Sequence, residues 1–581
     1  MISYLDKFIT KPVNRLSSTQ VIFWFSLSLT FAAIYSFLSL QIAFSEEYVV
    51  QDDARQHVFW MQRFLDPELF PNDLIANYFQ TVAPAGYSFL YRVVAAMGIN
   101  PLLFNKLLPV ILSLVTAGYC FGVTLQLLPV PAAAFSASLL LSQALGLTDA
   151  IVSGTPKAFI YPLFLAFIYY LLRGSLWPCL GAIALQGLFY PQLVLITAGT
   201  LFLRLWQWQD GRLGLSLDRR NRLICSTGIL IAVLVMLPYV FKTNEFGPVI
   251  SVAEARQLPE FLPGGRARFF YDDDPGRFWL KGRSGINLAS ALTPVTNVLG
   301  FLLPLLLPFP RQFPLVQRIT KNITFLPQIL LASFGMFFAA HALLFRLHLP
   351  SRYISHSLRI VMTLTAGIVL VVIIDAISHW LRQNSKSSFP GQKPLAWGIT
   401  IFLAAVLLLY PCLVDTFPIT AYQIGTAPSL YQFLQKQPQD SLIASLSQET
   451  NNLPTFAQRS ILVGSEYAIP YHLGYYYQFR QRTLDLINAQ YSLDKNEVDN
   501  FIQTYGVDFW LLDKGAFLPE YLSNNKWVQQ YQPAANQALQ KLKQGKKPVL
   551  AQIMESCRAF ETQALFVLKA ACIEEEVNNE I

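Results

Sequence analysis

The sequence predicts a polytopic α-helical membrane protein of about eleven membrane segments, followed by a soluble C-terminal α/β domain. Three observations predict it. Of 581 residues, 53% are hydrophobic and only 13% charged, about half the charged share of an ordinary soluble domain, and the mean hydropathy is +0.39. Apolar runs fall near 21–43, 107–127, 132–148, 157–172, 177–189, 191–203, 223–241, 287–308, 325–347, 358–380 and 396–414, many of them near the ~20 residues that cross a hydrocarbon core. Over 417–581 the apolar runs shorten and Gln, Asn and Asp become common, the composition of a domain in water.

The first run, 21–43, is preceded by no cleavage pattern and reads as a retained anchor. Basic residues gather in cytoplasmic loops and set orientation, so Lys7, Lys11 and Arg15 place the N-terminus in the cytoplasm. The cytoplasmic loops that follow are 128–131, 173–176, 204–222 (Arg204, Arg212, Arg219, Arg220, Arg222), 309–324 (Arg311, Arg318, Lys321) and 381–395 (Arg382, Lys386, Lys393). This alternation requires 177–203 to enter and leave on one side, as two short helices meeting at Tyr190-Pro191. Such breaks are tolerated where they line a protein cavity rather than lipid. The net charge of +8 is thus a topology signal and implies no nucleic-acid partner. The expected location is a plasma membrane, the inner membrane of a bacterial cell, with the membrane domain over 1–415 and the tail, 416–581, outside. In the tail, 441–446, 460–464, 507–512 and 564–568 read as strands, and 455–459, 467–480 and 495–505 as helices. The six cysteines show no metal-ligand spacing; Cys557 and Cys572 either pair or remain free thiols.

The outer face then collects the loops 44–106, 148–157 and 242–286 and the segment 349–357. In the first loop Asp52-Asp53 opens an amphipathic stretch, 54–65, with His57, Trp60, Met61 and Phe64 on one side and Arg55, Gln56, Gln62 and Arg63 on the other. That pattern reads as a helix lying at the membrane interface, with a second over 83–97. Two readings of the acids stay open. One is a helix cap, since the N-terminal N–H groups need acceptors. The other is chemistry: one carboxylate takes a proton from an acceptor hydroxyl while its neighbour orients it or binds a metal, and mutual repulsion raises one pKa.

A long first outer loop with Asp52-Asp53 just past the first span, many spans and an outer C-terminal domain together resemble the GT-C superfamily of polytopic glycosyltransferases. The resemblance implies transfer of a hexosyl or pentosyl group from a polyprenyl-phosphate-linked donor to a glycan, lipid or protein acceptor outside the cell. It also implies that Asp52 or Asp53 is the general base. The tail holds no WWD tripeptide and the first loop no Asp-Glu pair, so no branch of the superfamily is assigned.

Outward-facing cations fit a lipid-phosphate headgroup, because Arg grips phosphate oxygens with two donors. Pro350 stops one helix and presents Arg352 and Tyr353 at the mouth of the next. Arg359 lies one turn deeper into the apolar run and His356 on the same face. Arg352 with Arg359 is the preferred phosphate site; snorkelling arginines are the plain alternative. Lys157 follows Pro156 at the start of a span, where a helix N-terminus adds N–H donors, a second anion seat. Tyr190 at the helix break offers a hydroxyl to the cavity. Asp272, Asp273 and Asp274 are weaker candidates, as hard oxygen ligands for a divalent cation, although Asp-Pro-Gly is also a turn signature; Gly264-Gly265 reads as the hinge of a lid.

Two other functions compete. A transporter or flippase of a lipid-linked saccharide should show midplane ionisable groups and inverted repeats, whereas no repeat is seen and Asp375 is the one acid well inside a span. A non-catalytic scaffold would use the tail as its working part.

Overall fold

Ser18 and Asn100 open the first two long helices by accepting backbone N–H bonds, Ser18 from Val21 at 3.3 Å and Asn100 from Leu102 at 2.8 Å. Pro101 follows at the first helical position, where its missing N–H costs nothing. The computed structural model describes residues 8–13, 18–209, 212–241, 244–383 and 392–578; Lys7, Arg15 and Lys386 lie outside them. Its main helices are α1 (Thr19–Ala43), α2 (Pro101–Leu127), α3 (Pro131–Gly146), α4 (Ile160–Arg173), α5 (Leu176–Phe189), α6 (Gln192–Leu205), α7 (Arg219–Phe241), α8 (Phe325–Ala342), α9 (Ser351–Gln383) and α10 (Gln392–Leu409).

Six helices among the described residues are long and apolar enough to cross a membrane: Thr19–Ala43, Pro101–Leu127, Arg219–Phe241, Lys321–Ala342, Ser351–Leu381 and Pro394–Leu413. The larger number expected from hydropathy counted apolar composition without regard to helix length. Helices α4, α5 and α6 have 14 residues each, about 21 Å of rise against a core of about 30 Å. The 287–308 run breaks into short turns, Leu288–Ala291, Val295–Leu302 and Leu303–Leu306. As expected, α5 and α6 meet at Tyr190-Pro191.

The centre of the bundle is α3, buried on nearly every side, as a helix apolar all round must be. Two of its polar side chains bond neighbouring helices: Ser138 donates to Ala117 O at 3.1 Å and Gln143 to Leu407 O at 2.7 Å. Against it lies α9, so close at Gly367 that an added Cβ would stand 2.4 Å from the Ala137 nitrogen.

Strand β1 (Val49–Gln51) leaves the first span. The two strands of the hairpin between α6 and α7 are β2 (Trp206–Gln209) and β3 (Arg212–Leu215), and β4 (Tyr422–Ile424) follows the last span. β1 pairs antiparallel with β4, Val50 opposite Gln423. The stretch after β1 forms a helix, Ala54–His57, and a 3-10 turn, Phe59–Phe64. It does not lie at a membrane surface: Trp60 and Met61 are buried, and so is the polar side, with Arg55 8% and Gln62 3% exposed. Segments from the tail cover that polar side, Asn452 and Glu466 bonding Arg55, and Gln458 bonding Gln62.

The tail carries β5 (Leu442–Ala444), β6 (Ser460–Ile461), β7 (Phe509–Asp513), β8 (Arg558–Glu561) and β9 (Leu565–Lys569) in one sheet of order β6-β5-β7-β9-β8. β6, β5 and β7 run parallel, whereas β9 is antiparallel to both β7 and β8. Four of these strands coincide with the stretches read from sequence; β8 was not foreseen, because Arg558 and Glu561 give its surface no apolar alternation. Helices Leu473–Gln490, Lys495–Tyr505 and Ala534–Lys543 accompany the sheet, and Cys557 and Cys572 form a disulfide.

Gly367→Ala is expected to lower stability by about 1–3 kcal/mol, the usual cost of overpacking, seen as a lower unfolding temperature in detergent. Gly181→Ala, where an added Cβ meets no atom within 4 Å, should leave that temperature unchanged or raise it.

Candidate active site

The β1–β4 ladder sets the position of the acids. Asp52 N bonds Ala421 O at 3.0 Å, and the Gln51 side chain accepts from Asp53 N at 2.8 Å. Asp53 stands at the N-cap of Ala54–His57 yet makes no capping bond. Its carboxylate turns instead to Lys157, pairing through Oδ2; Oδ1 has no hydrogen bond among the described residues. Lys157 pairs at the same time with Asp149 at 2.7 Å. The loop that carries Lys157 is held by Asn105, which donates to Ser153 O at 2.9 Å, and by the Tyr91 hydroxyl, which donates to Gly154 O at 3.1 Å.

Burial pushes the Asp53 carboxyl up, but the charge of Lys157, supported by Arg352, outweighs it and holds the group below its ordinary value. For Lys157 burial opposes the charge, and Asp53 and Asp149 overcome it, so its pKa lies above the ordinary lysine value. Burial pushes His57 down, leaving it neutral at pH 7. His348 is pushed down to about 3, first by burial and then by the charges of Arg352 and Arg283.

The Arg352 guanidinium makes no hydrogen bond or ion pair among the described residues. It lies in the field of Tyr190, Asp53, Tyr471 and Asp149. The structure joins Asp53 to Lys157, with Arg352 and Tyr190 near enough to act on each other and on that pair electrostatically. A second cluster adjoins this one. Asp52 pairs with Arg55, and Glu466 of the tail receives Gln56, Arg55 and Arg266. Burial, followed by the nearby Asp52 and Asp53, keeps Glu466 above its ordinary value despite Arg266 and Arg55.

The remaining sequence candidates have other duties. Lys157 is no open anion seat, because its charge is already shared by two carboxylates. Arg359, 4% exposed, donates to the Tyr161 hydroxyl and to Ser290, so neutral oxygens satisfy it and it does not join Arg352. The two stand seven residues apart on α9, about 10 Å of rise. His356 bonds the same Tyr161 hydroxyl at 3.0 Å, and Tyr353 donates to Leu347 O at 2.7 Å; both brace the helix start. Asp272 is exposed and accepts from Arg256 at 3.0 Å, and Asp274 caps Pro275–Leu280 through Arg277 N at 2.9 Å. No group of three His, Cys, Asp or Glu side chains suited to a metal converges among the described residues, and Asp272, Asp273 and Asp274 are not gathered into one. Of the two glycines of this loop, Gly265 serves packing, since a Cβ there would stand 2.3 Å from Glu260 O, whereas Gly264 takes a φ of +94° with open space around it; the loop docks on the tail through Arg266–Glu466 and Ile250 N–Tyr471 O at 3.0 Å.

Sequence reading missed Asp149, Arg55, His57 as a charge-site neighbour, Arg266 and Glu466. Asp149 was findable as the lone acid in a short outer loop. Glu466 was not, since its partners lie 200 or more residues away.

No protein-family model and no curated protein matches the chain. Solved structures do. The crystal structure of the Archaeoglobus fulgidus oligosaccharyltransferase tethered with an acceptor peptide containing the NVT sequon aligns with TM-score 0.52 at 13% identity, over 88% of this chain and 72% of that one. Its apo form aligns at 0.53 and 12%, over 88% and 72%. The archaeal oligosaccharyltransferase AglB from the same organism, in complex with an inhibitory peptide and a dolichol-phosphate, aligns at 0.53 and 11%, over 89% and 72%. The chain thus shares the overall fold of these archaeal structures.

The sign of the pKa shifts fixes a pH dependence. Asp53 is depressed, so its contribution is present above the ordinary carboxylate pKa and lost as pH falls through the folded one; Lys157 is raised, so its contribution is lost only as pH rises through its folded value. Asp53→Asn should destabilise by about 2 kcal/mol, between the exposed and buried limits for ion pairs. The gap in unfolding temperature from wild type should be constant between about pH 5 and pH 9 and should narrow below about pH 4.

Proposed function

We propose that the protein is a membrane glycosyltransferase that moves a sugar from a polyprenyl-phosphate-linked donor to an acceptor nucleophile at the membrane surface. The observation that carries this reading is the juxtaposition of an ionised carboxylate with one free oxygen, Asp53, and a guanidinium without a partner, Arg352. A half-buried guanidinium without a protein partner is free to take an anion, and a phosphate is the anion whose geometry Arg matches. The neighbouring fold's complexes with a dolichol-phosphate and with acceptor peptides support a lipid-phosphate donor.

In this reading Arg352 holds the donor phosphate. As the bond between the sugar anomeric carbon and the phosphate oxygen breaks, the electron pair stays on phosphate, and Arg352 stabilises that charge. The acceptor attacks the anomeric carbon, and its proton passes to Oδ1 of Asp53. Lys157 and Asp149 fix the carboxylate in place and keep it ionised. Arg359 acts through Tyr161 as a positioning residue. A small cavity of about 40 Å³ lies between α1, α2 and α3 behind the loop of Lys157, with Lys106, Ser36 and Tyr422 in its wall.

The test is made in cells lacking the protein, with the accumulated lipid-linked saccharide identified by mass spectrometry. Asp53→Asn should cut transfer by about 10²–10⁴-fold at normal protein abundance, and Arg352→Ala should do likewise. Full complementation by both variants would overturn the reading in favour of a scaffold or a transporter.

A further inference from the structure

Asp53 and Asp149 reach one point from two different loops. Two ionised carboxylates so placed repel, and they must either share a proton or share a cation. A divalent ion coordinated by oxygen ligands is one way to supply that cation. Here the point is taken by the ammonium of Lys157, which bonds both acids and spends two of its three donors doing so. An ion 2.0–2.6 Å or so from oxygens of both acids would have to occupy the volume of that nitrogen. The backbone just before Lys157 is fastened by Asn105 and Tyr91, and the lysine side chain is only 17% exposed. A metal ion does not fit beside it, and no third His, Cys, Asp or Glu completes a ligand set among the described residues.

We infer that Lys157 is a tethered cation standing where a divalent ion would bridge Asp53 and Asp149, so that the site takes up no metal, and that truncating Lys157 opens a divalent-cation site between the two acids. The inference rests on the proposed function only in treating Asp53 as a working carboxylate; ion binding is measured directly and does not depend on any sugar being transferred. Lys157 is thereby a positioning residue, acting through Asp53.

The experiment uses the full chain in detergent, stripped with a chelator, and measures Mn²⁺ uptake by the loss of the free-ion paramagnetic resonance signal. Wild type should bind no Mn²⁺, and its unfolding temperature should respond to neither Mn²⁺ nor chelator. Lys157→Ala should bind a single ion and unfold at higher temperature as Mn²⁺ is added. At about a hundred-fold excess over Kd, its folding equilibrium should shift roughly a hundred-fold toward the native state. Lys157→Ala combined with Asp149→Ala should lose both gains. Should Lys157→Ala fail to fold, Lys157→Ser empties the same volume with a polar side chain, and the wild-type measurement stands alone. Mn²⁺ bound by wild type and lost in Asp53→Asn would overturn the inference, as would a folded Lys157→Ala or Lys157→Ser that takes up no ion. An active Asp53→Asn enzyme would sink the glycosyltransferase reading while leaving these binding results intact.

Discussion

The polar chemistry of the molecule hangs from a ladder of three residue pairs, Val49–Gln51 against Tyr422–Ile424. Two strands so short are marginal by themselves. They persist because Tyr48 packs on Tyr431 and Phe456, with ring centroids 4.8 and 5.6 Å away, so the aromatic core of the tail clamps the outlet of the first span. From that clamp the chain turns directly into Asp52-Asp53. The same clamp brings the tail across the first loop, which is how Glu466 comes to lie against Arg55 and Gln56. A segment more than 400 residues downstream thereby completes the charge pattern of the loop after the first long helix.

Charge is distributed there in linked pairs rather than in isolated bridges. Asp53 and Asp149 share Lys157; Arg55 serves both Asp52 and Glu466; Arg266 adds to Glu466. A buried ion is tolerated when opposite charge and hydrogen bonds replace its water. By that standard the acids are provided for, whereas Arg352, half-buried, has no side-chain partner among the described residues. The imbalance singles it out more firmly than its position at a helix mouth does. Glu466 is the counterpart on the acidic side: it keeps a raised pKa because other carboxylates and burial press on it faster than its two arginines relieve it.

Much of this was legible in the chain itself. Apolar runs and basic loops announce a polytopic membrane protein, and the Tyr190-Pro191 break was visible because 27 residues cannot make two full crossings. Asp53, Lys157, Arg352 and Tyr190 stood out because polar side chains at the edges of apolar runs are few. What the sequence hid was pairing. Nothing local says that Lys157 faces two acids instead of a phosphate, or that Arg359 is satisfied by Tyr161 and Ser290. The amphipathic stripe at 54–65 also misled, since a polar face looks the same whether water or a folded tail covers it. Likewise α3 reads as a span, although its 16 residues are wrapped by protein.

The kinked pair α5 and α6 has a consequence for the bilayer around it. Each arm rises about 21 Å, roughly 9 Å less than the hydrocarbon layer, and Pro191 can donate no backbone bond. Lipid beside that elbow must sag to meet it, or solvent must seep in to wet it. Either way neither arm, by length alone, reaches from one face of that layer to the other.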